Sequence, residues 1–136
     1  MLALTSCGNS TGIDAFPVGD IEVGDERLTV WVADESQERR QGLRGVEELP
    51  EGLDGMLFVF PVPAALSFTM RDTLRPLDVW WFDGEMMLIG RTAMVPCESA
   101  LCVSYRSPGD ARWALETPAG EVSFEAGERL SIVGNG

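Results

Sequence analysis

Leu77-Asp78-Val79-Trp80-Trp81-Phe82 runs straight into Asp83-Gly84. Six residues, apolar on both faces except at Asp78, have the length of a strand and are too few for a stable helix. Asp-Gly is a hairpin signal, so residues 85–95 are expected to return as the antiparallel neighbour. Outward from there, Met56-Leu57-Phe58-Val59-Phe60 is a second unbroken apolar run. Such a run suggests a strand covered on both faces, and Pro61 and Pro63 are expected to break it. Leu66 to Met70 alternates, and Arg27 to Ala33 puts Leu28, Val30 and Val32 on one face. Further short strands are expected at 112–117 and 129–133. Asp34-Glu35-Ser36-Gln37 is close to a capping box, and good helix formers follow before Gly42 and Gly45. The expected fold is therefore mainly β, α+β at the margin. It is a single compact domain of six to eight short, mostly antiparallel strands with one short helix near 35–43.

The totals exclude whole classes of chemistry. The chain of 136 residues carries 22 acids against 10 bases, a net charge of −12. Such a field repels polyanions, so neither nucleic acid nor anionic lipid headgroups are expected as partners. There is no histidine, and all 10 bases are arginine. A Ser-His-Asp triad, a Cys-His pair, a lysine Schiff base and a P-loop lysine are all impossible. A histidine zinc site is equally impossible, and 3 cysteines are too few for an all-cysteine one. No metal and no cofactor are expected. Carboxylates, arginines, hydroxyls, thiols and Tyr105 remain.

The N-terminal Leu4-Thr5-Ser6-Cys7 resembles a bacterial lipobox, in which the cysteine becomes a lipidated N-terminus. Gly8 to Gly12 has the composition of a flexible tether. Only six residues precede Cys7, without a basic region, so the written start is expected to lie inside a longer signal peptide. Residues 1–18 are accordingly assigned to signal remnant, lipobox and tether, and residues 19–136 to a globular domain. An exported protein, anchored to the outer face of the cell membrane through lipid on Cys7, is the expectation; the counter-reading is a cytosolic protein with a chance cysteine. With Cys7 used, Cys97 and Cys102 form a Cys-x4-Cys pair that suits a small-loop disulfide in an exported protein. A redox-active pair is the alternative, although the spacing is not Cys-x-x-Cys.

Asp78 shares a strand face with Trp80 and Phe82, while Leu77, Val79 and Trp81 take the other. Both faces are otherwise apolar, so Asp78 is expected to be buried and paired, with Arg71, Arg39 or backbone N–H groups as partners. A structural ion pair is one reading, a perturbed acid in a cleft the other. Asp72 with Asp78 is a candidate acid/base pair, and Asp72, Asp78 and Asp83 are a weak candidate for a hard cation. Trp80 and Trp81 must point to opposite sides. Trp31 faces away from Leu28, Val30 and Val32 and is the tryptophan expected at the surface.

Four segments, in order, resemble the domain of unknown function 192 family. They are Glu38-Arg39-Arg40-Gln41-Gly42-Leu43, then Gly55 to Phe60, then Phe68-Thr69-Met70-Arg71-Asp72-Thr73 with Pro76 to Val79, and last Pro96-Cys97 with Tyr105, Ser107-Pro108 and Leu115-Glu116. The resemblance spans roughly residues 27–133. The family pattern has an aromatic, then Lys and Asn, where this chain has Thr69, Arg71 and Asp72. The resemblance implies a compact, mostly β domain, often exported and sometimes lipid-anchored, and it implies no reaction. Together with the pattern it gathers Arg39, Arg71, Asp72, Asp78 and Trp80 as the lining of a possible ligand cleft. The function expected is a non-catalytic binding or accessory module at the bacterial cell envelope, its small-molecule or protein partner left open. The alternatives are a carboxylate-based hydrolase acting on envelope carbohydrate and a structural partner of another envelope protein.

Overall fold

The computed structural model describes residues 16–135; Cys7, its lipobox and residues 8–15 of the tether lie outside them. The strands are β1 (Val18–Val23), β2 (Glu26–Ala33), β3 (Gly55–Phe68), β4 (Leu77–Phe82), β5 (Leu88–Met94), β6 (Tyr105–Pro118) and β7 (Leu130–Asn135). They form one sheet in the order β5-β4-β6-β3-β2-β1-β7. Among the named strands, β2 and β3 pair in parallel and the other ladders are antiparallel. The sheet curls until its two edges approach. Met87 and Arg129 form an isolated bridge, and Leu130 N–H donates to the Met86 carbonyl at 2.8 Å. The product is a half-barrel, mainly β as the patterning indicates.

The strand runs are apolar on both faces because both faces are covered. Inside the curl lie Ile21, Leu28, Leu57, Trp80, Phe82 and Leu115. On the outer face lie Trp31, Met56, Phe58, Val79, Trp81 and Ala114, under the segment that joins β2 to β3. Trp80 and Trp81 therefore serve different cores, as adjacent strand positions must. Trp31 corrects the expectation of exposure. It is only 4% exposed, because Phe16 lies on it with ring centroids 5.5 Å apart. Phe16 was assigned to the tether, yet it is part of the outer core. β1 is a strand that the expected set lacks, with Ile21 and Val23 buried in alternation with Asp20 and Glu22.

The prolines do not divide the strands as expected. β3 runs through Pro61 and Pro63, and β6 takes in residues 105–110, which read as loop. The cost appears as a register shift between Val59 and Ala64, where prolines cannot donate to the ladder. The helix α1 (Ser36–Gln41) is capped one residue later than the sequence suggests, with Glu35 at the N-cap and Glu38 at N3. It buries none of its residues, so it is a polar rim above the sheet and not a packed layer.

Close approach of β3 to β6 depends on Gly55. A Cβ built there would lie 2.2 Å from the Glu116 carbonyl oxygen. In the loop between β5 and β6, Cys97 and Cys102 form a disulfide with Cα atoms 5.8 Å apart, and Cys97 packs against the outer core. Arg71 clamps that loop by donating to the carbonyls of Ser99 (3.4 Å) and Ala100 (2.8 Å).

Candidate functional site

The outer face carries a cleft of about 460 Å³ between α1, the turn after it and the middle of β3. Its size falls in the range of small-molecule sites. The sequence builds it simply. Phe58, Leu66 and Phe68 point outward from β3 at even spacing, and the capping box turns the chain so that Arg39 and Arg40 overhang them. Phe68 packs against Phe58 at 4.9 Å and stacks on Trp81 at 5.4 Å. The aromatic wall is thereby anchored to the core and stiff.

The floor holds Glu116. On β6, Arg112, Ala114 and Glu116 share one face, and Glu116 stands opposite Met56 on β3 and Val79 on β4. It is 5% exposed and lines the cleft. Among the described residues no side chain or backbone group hydrogen-bonds its carboxyl, and no arginine comes within 4 Å. Burial alone pushes its pKa up to about 8, because an ion in this apolar floor loses its hydration without gaining a partner. At neutral pH Glu116 is a carboxylic acid, a hydrogen-bond donor facing a cavity.

The expected cleft residues separate into four places. Arg39 lines this cleft. It donates to the Asp34 and Val59 carbonyls, both at 2.9 Å, and its guanidinium lies 5.1 Å over the Phe60 ring. Arg71 belongs to the disulfide loop. Asp72 occupies the turn before β4 with φ of 59°, a left-handed conformation that Asn and Asp tolerate better than other side chains. Its carbonyl accepts from Gly45 N–H at 2.9 Å, so its role there is in the backbone. Asp78 and Trp80 point to the inner side of the sheet.

Asp78 is buried, as its strand position requires, but its partner is neither Arg71 nor Arg39. Arg91 from β5 donates to Oδ1 at 2.7 Å, and Gly120 N–H donates to Oδ2 at 3.0 Å. The pair closes the β4–β5 edge and ties it to the turn after β6. Asp78 is thus a structural ion pair, and the Asp72–Asp78 acid/base pairing is not assembled. Arg91 keeps 47% of its side chain exposed, so it can hydrate if Asp78 is lost, and the cost is discounted accordingly. Asp78→Ala should lower stability by about 2 kcal/mol, mainly through the orphaned Gly120 amide, and Asp78→Asn by about half as much. Urea midpoints of the two variants check this; values equal to wild type would contradict it.

Glu116 stands in the sequence as part of the Leu115-Glu116 family segment, not as a candidate site residue. Its face was legible from the alternation of Trp113, Leu115 and Thr117 with Arg112, Ala114 and Glu116. Two charges in three positions mark a solvent face by pattern alone, and only the overhanging 34–54 segment places it indoors.

No curated protein matches the chain. Among solved structures, a protein of Sinorhizobium meliloti 1021 named as a candidate transcription regulator aligns with a TM-score of 0.74. It is 23% identical, over 86% of this chain and 95% of its own. A protein of unknown function from Novosphingobium aromaticivorans DSM 12444 aligns with a TM-score of 0.73 at 22% identity, over 91% of this chain and 99% of its own. At such identities the likeness is one of fold. The sequence itself matches the domain of unknown function 192 family, described as an uncharacterized ACR, over residues 20–132. With that match covering most of its length, the chain belongs to the domain of unknown function 192 family.

Proposed function

We propose that the domain is a non-catalytic binding module of the bacterial cell envelope, which takes a small molecule into the cleft beneath α1. The observation that carries the reading is Glu116, a buried carboxyl with no partner among the described residues, opening on a cavity of ligand size. A buried polar group left unsatisfied costs about 1–3 kcal/mol, and such a cost is retained where a ligand completes the site. The hydrolase alternative needs a second carboxyl group beside the first. Among the described residues that line the cleft, Glu116 is the one acid. The regulator label stays with the Sinorhizobium protein, since a net charge of −12 suits no DNA backbone.

The envelope part rests on the lipobox at Cys7. The full chain, expressed with a complete signal peptide, should fractionate with membranes, and Cys7→Ser should release it. The cleft is tested by screening small molecules for a raised melting temperature, since a ligand of the native state stabilises by mass action. Binders should lose their effect on Ser36→Trp, which adds bulk on the α1 face that carries Arg39 and Arg40 over the cleft and touches neither core. Binders that stabilise this variant as well as wild type would place the site elsewhere.

A further inference from the structure

Resting on that cleft reading, we infer that the ligand is a small cyclic carboxylate that carries a hydrogen-bond acceptor at the end opposite its charge. The carboxylate meets Arg40 and Arg44 at the mouth, the ring lies against Phe58, Phe60 and Phe68, and the acceptor oxygen accepts a hydrogen bond from the Glu116 carboxyl.

The charge at the mouth is the first reason. In a chain with more than twice as many acids as bases, Arg39, Arg40 and Arg44 line one cleft. None has a carboxylate within 4 Å among the described residues. Glu38, their neighbour in the chain, is spent on the helix cap, where its Oε1 accepts from the Asp34 and Glu35 amides at 3.0 and 3.1 Å. Arg39 is held by two carbonyls and belongs to the wall. Arg40 donates from Nη1 to Ser36 Oγ at 2.6 Å, and the Arg44 side chain makes no hydrogen bond among the described residues. Two guanidinium groups thus keep donors for an anion, and a carboxylate matches their fork geometry.

The floor supplies the second reason. Glu116 is out of reach of those arginines, so the cation and the acid of this cleft do not satisfy each other. A molecule that spans the gap completes both. Its inner end must be an acceptor and not an anion, because the floor that keeps Glu116 protonated also excludes another charge. The apolar walls between them set the third requirement, a flat ring, which three phenylalanines accommodate by offset or edge contacts.

The charged groups on elements around Glu116 are Arg39 and Arg40 on α1, Arg44 after it, and Arg112 on its own strand. Arg112 is engaged with the Phe60 carbonyl at 3.0 Å. Glu47 and Glu48 lie beyond Leu43 in a neighbouring depression. From β3 and β4, Met56, Phe58 and Val79 contribute no charge. Deprotonation of Glu116 removes the donor and places a second anion near the ligand, so affinity falls as pH rises through the titration of Glu116.

The test uses three probes of one shape: 4-acetylbenzoate, its neutral amide 4-acetylbenzamide, and 4-ethylbenzoate, which lacks the ketone acceptor. Binding is followed by NMR of the Leu43 and Leu66 methyl groups, which line the cleft. The expected result is that 4-acetylbenzoate shifts these methyls with affinity about tenfold above either analogue, as one charge-assisted or buried hydrogen bond implies. Arg40→Gln combined with Arg44→Gln should abolish the advantage over the amide. Glu116→Gln should still bind at neutral pH, and its affinity should not fall between pH 7 and 9 as that of wild type does. If the amide shifts the methyls as well as the carboxylate does, the ligand class is wrong and the cleft stands. If no probe shifts them at millimolar concentration, the cleft reading itself fails.

Discussion

Glu116→Gln is expected to match wild type in stability near pH 4.5 and to exceed it by on the order of 4 kcal/mol above pH 8. The sign follows from where the proton sits. In the unfolded chain Glu116 titrates near its ordinary value of 4.5; in the folded chain burial holds it at about 8. Below pH 4.5 both states carry the proton and the residue makes no pH-dependent difference. Between the two values the unfolded state has released its proton and the folded state has not. Stability then falls by about 1.4 kcal/mol per pH unit. Above pH 8 both states are ionised and the loss is complete. Glutamine has nearly the shape of the protonated acid and does not titrate. Urea unfolding of both proteins from pH 4 to 9 isolates the effect, because the other 21 acids are common to both. A constant difference across that range would show that Glu116 ionises normally in the folded state.

Gly55→Ala is expected to cost about 3 kcal/mol or more, the upper range for an overpacked core. The added methyl would sit 2.2 Å from the Glu116 carbonyl oxygen, which is backbone at the end of the β3–β6 ladder, where Met56 pairs with Glu116. No rotamer change relieves that overlap; β3 and β6 must move apart. Gly55 also pairs with Val30 across the one parallel ladder, so the displacement reaches β2. Urea midpoints measure the loss, and the same variant should disturb the floor of the cleft, because its clash is with Glu116 itself. An alanine variant with a wild-type midpoint would mean that the two strands do not approach this closely.

Local features of the fold were legible in the sequence and long-range ones were not. The Leu77–Phe82 strand, the two-sided apolar run at Met56, the short capped helix and the Cys97–Cys102 bridge each depend on neighbours within a few positions. The length of β3 did not show, since Pro61 and Pro63 are strand breakers by local rule. The sheet admits them where the β3–β6 register shifts. Burial of Asp78 followed from its strand face, but Arg91 as its partner depends on the β4–β5 register, which sets Trp80 opposite Arg91. The tilted aromatic contact of Trp31 with Phe16 depends on β1 pairing with β2. Arg39 lines the cleft beneath α1, whereas Trp80 and Asp78 share a strand with the cleft's support and face the other way. Glu116 illustrates the limit most clearly. Its pattern indicates solvent, and its environment is decided by a cover more than sixty residues away in the chain.

The folded domain holds an un-ionised acid at the floor of an open cleft. Carbon-13 NMR of the glutamate side-chain carboxyls reports it directly, with the Glu116 resonance assigned by its loss in Glu116→Gln. Titrated from pH 3 to 10 in the free protein, that carboxyl should change with a midpoint near 8, well apart from the exposed glutamates. A midpoint near 4.5, within the group of exposed acids, would contradict the account.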